Sequence, residues 1–171
     1  MLKSPIAILA LLLMAQLASA QTPPPADLPA ALKPSGLSVY LDVPATGVQI
    51  YTCGKNAAGA WVWNFKAPEA ELFDAQKKQI GKHYGGPTWE GMDGGKVVGV
   101  VKANAPAPAA NAIPWLLLDI KSREGNGVFT QAKEILRIAT VGGATPSVSC
   151  DEARSGQENR VPYTATYLFL K

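Results

Sequence analysis

Thr88-Trp89-Glu90-Gly91-Met92-Asp93-Gly94-Gly95-Lys96-Val97-Val98-Gly99-Val100-Val101-Lys102 is the stretch on which the fold turns. Two runs of β-favouring residues flank Asp-Gly-Gly, and glycine accepts the positive φ that a tight hairpin demands. The reading is an antiparallel pair, residues 88–92 with 96–102.

Outward from this hairpin the texture repeats. Short runs rich in Val, Ile, Tyr, Trp and Phe alternate with Gly, Pro, Asn and Asp clusters, and no stretch keeps a 3.6-residue apolar stripe beyond two turns. Candidate strands cover 48–53, 61–66, 70–73, 79–84, 88–92, 96–102, 113–122, 135–140 and 163–170. The fold class is mostly β, a single-domain antiparallel sandwich or barrel of about nine strands. Strand periodicity puts Trp61, Trp63 and Phe65 on one face, expected to be core, with Val62 and Asn64 on the other. Ile113-Pro114-Trp115-Leu116-Leu117-Leu118-Asp119-Ile120 is apolar on both faces and predicts an interior strand, its Pro at the leading end where a missing N–H does least harm. Residues 104–111 and 122–127 read as exposed loops, and Gln131-Ala132-Lys133-Glu134 as one helical turn.

The N-terminus has a basic start at Lys3, an apolar run from Ile6 to Leu17, and Ala18-Ser19-Ala20, the small-x-small form that signal peptidase reads. Residues 1–20 are expected to be a signal peptide cleaved after Ala20, since the run falls short of the roughly 20 residues a bilayer core requires. No later segment reads as a membrane span, and no cysteine follows the run to carry a lipid anchor. The expected location is the periplasm or the medium, between which the signal does not choose. Pro-rich residues 21–35 read as a disordered tether, and residues 36–171 as one β domain.

Cys53 and Cys150 are the only cysteines, and an even pair in an oxidising compartment predicts one disulfide tying the start of the domain to its end. Loss of Lys3 lowers the formal charge from +3 to +2. So weak and scattered an excess gives no footprint for nucleic acid.

Chemistry concentrates in His83-Tyr84-Gly85-Gly86-Pro87-Thr88-Trp89-Glu90-Gly91-Met92-Asp93-Gly94-Gly95, which holds the only histidine. No dinucleotide fingerprint or P-loop occurs, and Gly91-Met92-Asp93-Gly94-Gly95-Lys96 has the wrong spacing for one. One histidine and two bridged cysteines make no zinc set, and Glu90 with Asp93 lacks the alternating ligands of a calcium loop. No cofactor and no metal are expected. A serine hydrolase could use His83 as base, yet Gly-x-Ser-x-Gly is absent. Glu90 and Asp93 could form a carboxylate pair, although Asp93 falls in the turn and is expected to bond its own backbone there. His83 reads either as a structural histidine in a Gly-rich turn or, with Tyr84, Trp89 and Glu90, as part of a mixed aromatic and polar surface suited to sugars and other polar ligands.

Gln49-Ile50-Tyr51-Thr52-Cys53, Ala67-Pro68-Glu69-Ala70-Glu71-Leu72, His83 to Glu90, Ile113-Pro114-Trp115-Leu116-Leu117, Gly142-Gly143-Ala144-Thr145-Pro146 and Val161-Pro162-Tyr163-Thr164-Ala165 together resemble the DUF3455 family. It is a group of secreted bacterial and fungal proteins named for lacking a known function. The resemblance runs from Gly47 to Phe169 with the blocks in order, and it brings no established catalytic residues. Some relatives are called malate dehydrogenases, but this chain lacks the cofactor fingerprint and reads as β rather than βαβ. The family's Asp-Gly-Ser turn is Asp93-Gly94-Gly95 here, which leaves no serine at 95.

The leading expectation is an extracytoplasmic, non-catalytic domain that binds a polar ligand such as a glycan or envelope component through His83, Tyr84, Trp89 and Glu90. A secreted hydrolase using Glu90 or Asp93 with His83 is the first alternative, and a structural or stress-related envelope protein the second.

Overall fold

The computed structural model describes residues 21–171, so the expected signal peptide lies outside the described residues. Eight strands follow in order: β1 (Val39–Lys55), β2 (Trp61–Phe73), β3 (Gln79–Tyr84), β4 (Thr88–Gly91), β5 (Lys96–Ala105), β6 (Trp115–Glu124), β7 (Glu134–Gly142) and β8 (Glu158–Leu170). Each pairs antiparallel with the next, and β8 returns to pair with β1, closing a barrel. Closure leaves the sheet no outer strands, and eight strands enclose a space that side chains or one small ligand can fill.

Eight strands replace the expected nine because 61–66 and 70–73 are one strand, β2, which runs straight through Pro68. Its register with β3 begins only at Glu69, so Pro68 stands where the strand has an open flank and its missing N–H breaks no ladder there.

The expected Trp61–Trp63–Phe65 core face needs correction. The β1–β2 register shifts between Ile50 and Tyr51, so that Tyr51 faces Phe65 while Gln49 faces Pro68, with Lys66 as the extra residue. Such a bulge inverts the alternation, so Phe65 stays on the inner face with Tyr51, but on a part of β2 that extends past its pairing with β3. Beyond it, Ala70 and Leu72 enter the core, whereas Phe65 is 55% exposed and Trp61 and Trp63 are half-buried. These three aromatics belong to an arm of the β1–β2 hairpin, where Trp63 Nε1 donates to the Val148 carbonyl at 2.7 Å.

Inside the barrel, Val43, Leu72, Trp89, Leu118, Ile135 and Phe169 form part of the main core. One end is stoppered by a 3-10 turn at Val128–Gln131, slightly earlier in the chain than the expected helical turn. Its Phe129 is fully buried and stacks on Phe169 with centroids 4.7 Å apart. Gly81 makes room for it, since a Cβ there would lie 2.8 Å from Phe129 Cε2.

The Pro-rich segment is packed, which corrects its reading as a free tether. Leu28 and Leu32 are buried with Leu117, Leu136, Leu168 and Leu170 in a second core. Residues 117, 136 and 168 alternate with the inward-facing 118, 135 and 169, so they form an apolar stripe on the outside of the barrel. Covering such a stripe removes apolar area from water. The same covering explains why 113–120 is apolar on both faces: Leu116 and Leu118 pack with the inner core, Trp115 and Leu117 with the outer one. Thr22 anchors the segment through a bridge to Val39.

The disulfide joins Cys53 to Cys150, 97 residues apart, and fastens the β7–β8 connection to the β1–β2 arm. Among the described residues no helix is long and apolar enough to cross a membrane.

Candidate functional site

The β3–β4 hairpin divides the residues singled out from the sequence. His83 pairs with Trp89 and Lys82 with Glu90, so the two-residue period sends the first pair inward and the second outward. His83 and Trp89 are 2% and 1% exposed, and their rings stack 4.5 Å apart. Tyr167 closes over both, 5.0 Å from His83 and 5.4 Å from Trp89. On the outer face the Tyr84 hydroxyl donates to Glu90 Oε2 at 2.7 Å, and Lys82 Nζ lies 3.5 Å from the same oxygen. The Tyr84 hydrogen bond, helped by Lys82 and Lys96, holds the Glu90 carboxyl below its usual range. The four residues therefore form two clusters on opposite sides of a sheet, not one surface.

Asp93 is placed elsewhere again, at the stoppered end. Its Oδ1 accepts from Gly95 N at 3.1 Å, setting the hairpin, and its Oδ2 accepts from Val128 N at 2.7 Å, holding the 3-10 turn in place. His83, Glu90 and Asp93 do not converge, so the acid–base set considered for a hydrolase has no common point of attack.

The other end of the barrel is open. A cleft of about 350 Å³ enters there, reaching Gln49 on β1, His83 on β3 and Arg137 on β7 between apolar walls that include Phe65, Pro87 and Ile113. Gln49 arrives by alternation: Val43, Ala45, Gly47, Gln49 and Tyr51 all occupy inward positions of β1. Gly143, at φ +78°, makes space behind it, because a Cβ would stand 3.0 Å from Gln49 Cγ and 2.9 Å from Tyr163 Cβ. Arg137 follows Ile135 inward and pairs with Tyr167 across the β7–β8 ladder.

The polar groups here are few and directional. His83 Nδ1 lies 2.8 Å from the Thr88 carbonyl. A carbonyl only accepts, so Nδ1 carries the proton and Nε2 is an acceptor. Burial lowers the His83 pKa to about 3; the Thr88 bond opposes that shift and the Arg137 cation adds to it. The imidazole is therefore neutral at physiological pH. Arg137 gives Nε and Nη2 to the Pro114 carbonyl at 3.1 and 2.9 Å. Among the described residues no carboxylate forms an ion pair with it. Burial raises the Tyr51, Tyr163 and Tyr167 hydroxyl pKa values, and the same cation opposes the rise at each. Tyr51 donates to the Gly143 carbonyl at 2.7 Å, while the Tyr163 and Tyr167 hydroxyls lie 3.3 Å apart.

Gln49 is only 2% exposed, and its Nε2 has no hydrogen-bond partner. A buried amide without a partner costs about 1–3 kcal/mol; Trp89 Nε1, Trp115 Nε1 and Glu134 Oε2 share this condition among the described residues, and of the four atoms only that of Gln49 belongs to a residue lining the cleft. The sequence carried a faint signal for Gln49 and Arg137: each interrupts an apolar alternation at an inward position. Among the described residues no cluster of three or more His, Cys, Asp or Glu stands ready to hold a metal ion.

Residues 34–171 match the family described as protein of unknown function (DUF3455), and the chain belongs to that family. Neither a curated protein nor a solved structure matches it.

Proposed function

We propose that this protein is an extracytoplasmic binding barrel that takes a small polar ligand into the open mouth above Gln49, His83 and Arg137. The observation that carries the reading is the unpartnered Gln49 Nε2, buried at a cleft of about 350 Å³. That volume is at the lower end of what small-molecule sites use, and an apolar wall with a few convergent polar groups is their usual make-up. The ligand supplies an acceptor for Gln49, beside the neutral ring of His83. The export signal in residues 1–20 and the Cys53–Cys150 bridge support a location outside the cytoplasm.

The test is a thermal-shift screen of purified protein against glycans, envelope fragments, neutral aromatics and small organic acids, with Val101→Trp in parallel. Val101 lines the mouth and is 48% exposed, so a bulky side chain there blocks the cleft without entering the core. A true ligand raises the melting temperature by mass action and loses its effect in the blocked variant. Gln49→Leu gives an independent check, raising the melting temperature of the free protein while weakening the ligand. A screen without any shift, or shifts equal in both proteins, refutes the mouth as the site. Mass spectrometry of the exported protein should find a chain beginning at Gln21.

A further inference from the structure

Arg137 is a half-buried cation whose hydrogen-bond acceptor is the neutral carbonyl of Pro114. A partly desolvated charge without a counter-charge is left under-solvated, and a carboxylate within reach would add charge-assisted hydrogen bonds. Two N–H bonds of the guanidinium are already committed to one oxygen, which leaves other donors of the fork free. Gln49 Nε2 is a second donor in the same cleft with nothing to donate to. The walls around these donors are mostly apolar, Phe65, Pro87, Val101, Ile113 and Leu116, with Phe65 and Val101 exposed at the rim, and the one other cation of the lining, Lys66, is paired with Glu158. Phe65 is further held edge-on to Tyr51, with centroids 5.7 Å apart, so a flat face stands at the opening.

We infer that the ligand of this mouth is a small organic carboxylate with a flat apolar body, its anionic oxygens taken by Arg137 and Gln49 and its body held between Phe65, Pro87 and Ile113. The inference rests on the mouth being a binding site and adds the charge and shape of what enters. Net charge gives it little help, since the basic excess over the whole chain is small. Selectivity arises locally, from one uncompensated guanidinium at the end of an apolar cleft.

The experiment is calorimetric titration of the purified protein at neutral pH and low salt with matched acids and amides: benzoate against benzamide, and 3-phenylpropanoate against 3-phenylpropanamide. Each acid should bind at one site at least tenfold more tightly than its amide, and added salt should narrow the gap. Arg137→Met should level acid and amide, while Arg137→Lys, which keeps the charge but not the fork, should retain part of the preference. Because Arg137 also holds the Pro114 carbonyl, the melting temperature of both variants is measured, and Gln49→Leu, which spares that contact, should weaken the acid more than the amide. Amides equal to acids in the wild type, or a preference unchanged in Arg137→Met, would overturn the anion inference and leave the binding mouth standing. Neutral ligands that bind while every acid fails do the same. Equal titrations in wild type and Val101→Trp overturn both readings together.

Discussion

The two ends of the barrel are built from the same strands and finished in opposite ways. At one end Phe129 drops from the 3-10 turn onto Phe169, Asp93 latches that turn by its backbone, and no polar side chain is left without a partner among the residues that make the stopper. At the other, the same alternation delivers Gln49, His83 and Arg137 to the interior, and an open cleft reaches all three. The closed end spends its inward positions on packing. The open end keeps a donor without an acceptor and a cation without a carboxylate, arrangements that reduce stability and make sense where another molecule completes them.

The contrast extends to how each end is held, and the largest expected effect tests it. The open end is fastened covalently: the Cys53–Cys150 bridge closes a span of 97 residues, for which chain entropy gives about 4–5 kcal/mol as a model-dependent upper figure. Cys53→Ser should lower the melting temperature under non-reducing conditions and expose one titratable thiol at Cys150. The closed end is held without a covalent link, by packing and the Asp93 hydrogen bond, and Phe129→Ala should cost about 3–5 kcal/mol in denaturant melts while leaving ligand affinity at the mouth unchanged. If that variant instead loses the ligand, the two ends are coupled and the comparison fails.

His83 sharpens the contrast through pH. Its pKa falls from an ordinary 6.5 to about 3 on folding, so above pH 6.5 both folded and unfolded states are neutral and its contribution is complete. As the pH drops from about 6.5 toward 3 the unfolded chain takes up a proton that the folded one refuses, and stability falls by up to about 1.4 kcal/mol per pH unit. Denaturant melts across that range should show the slope in the wild type and a shallower one in His83→Gln. An unchanged slope would mean that other groups carry the acid sensitivity. The smallest effect belongs to the outer face: Tyr84→Phe and Glu90→Gln should leave both melting temperature and ligand binding where they are, and a lost ligand in either would move the site outside the barrel.

Strand content, the Asp93-Gly94-Gly95 hairpin and the bridge were legible because each depends on local chemistry: β-branched and aromatic runs, glycines that tolerate positive φ, and an even pair of cysteines. The merger of two candidate strands into β2 was hidden by Pro68, which reads as a break until β2 is known to lack a β3 partner at that point. The Trp61–Phe65 face does take the inner side, opposite Tyr51 and Cys53, but it lies on the part of β2 that runs on past its pairing with β3, where no wall of the barrel covers it. The Pro-rich segment resembled a tether because composition does not reveal the leucine stripe that Leu28 and Leu32 cover.

The candidate site follows the same division. Sequence alone determined that His83, Tyr84, Trp89 and Glu90 are neighbours along the chain and that the chain is a disulfide-closed β domain, since proximity in sequence, composition and cysteine count are properties of the string itself. Which face each residue takes, and which distant residues meet it, was decided only when the sheet closed. A two-residue period separates neighbours as readily as it joins them, and barrel closure brings Gln49, His83 and Arg137 from three strands to one cleft that no sequence interval records.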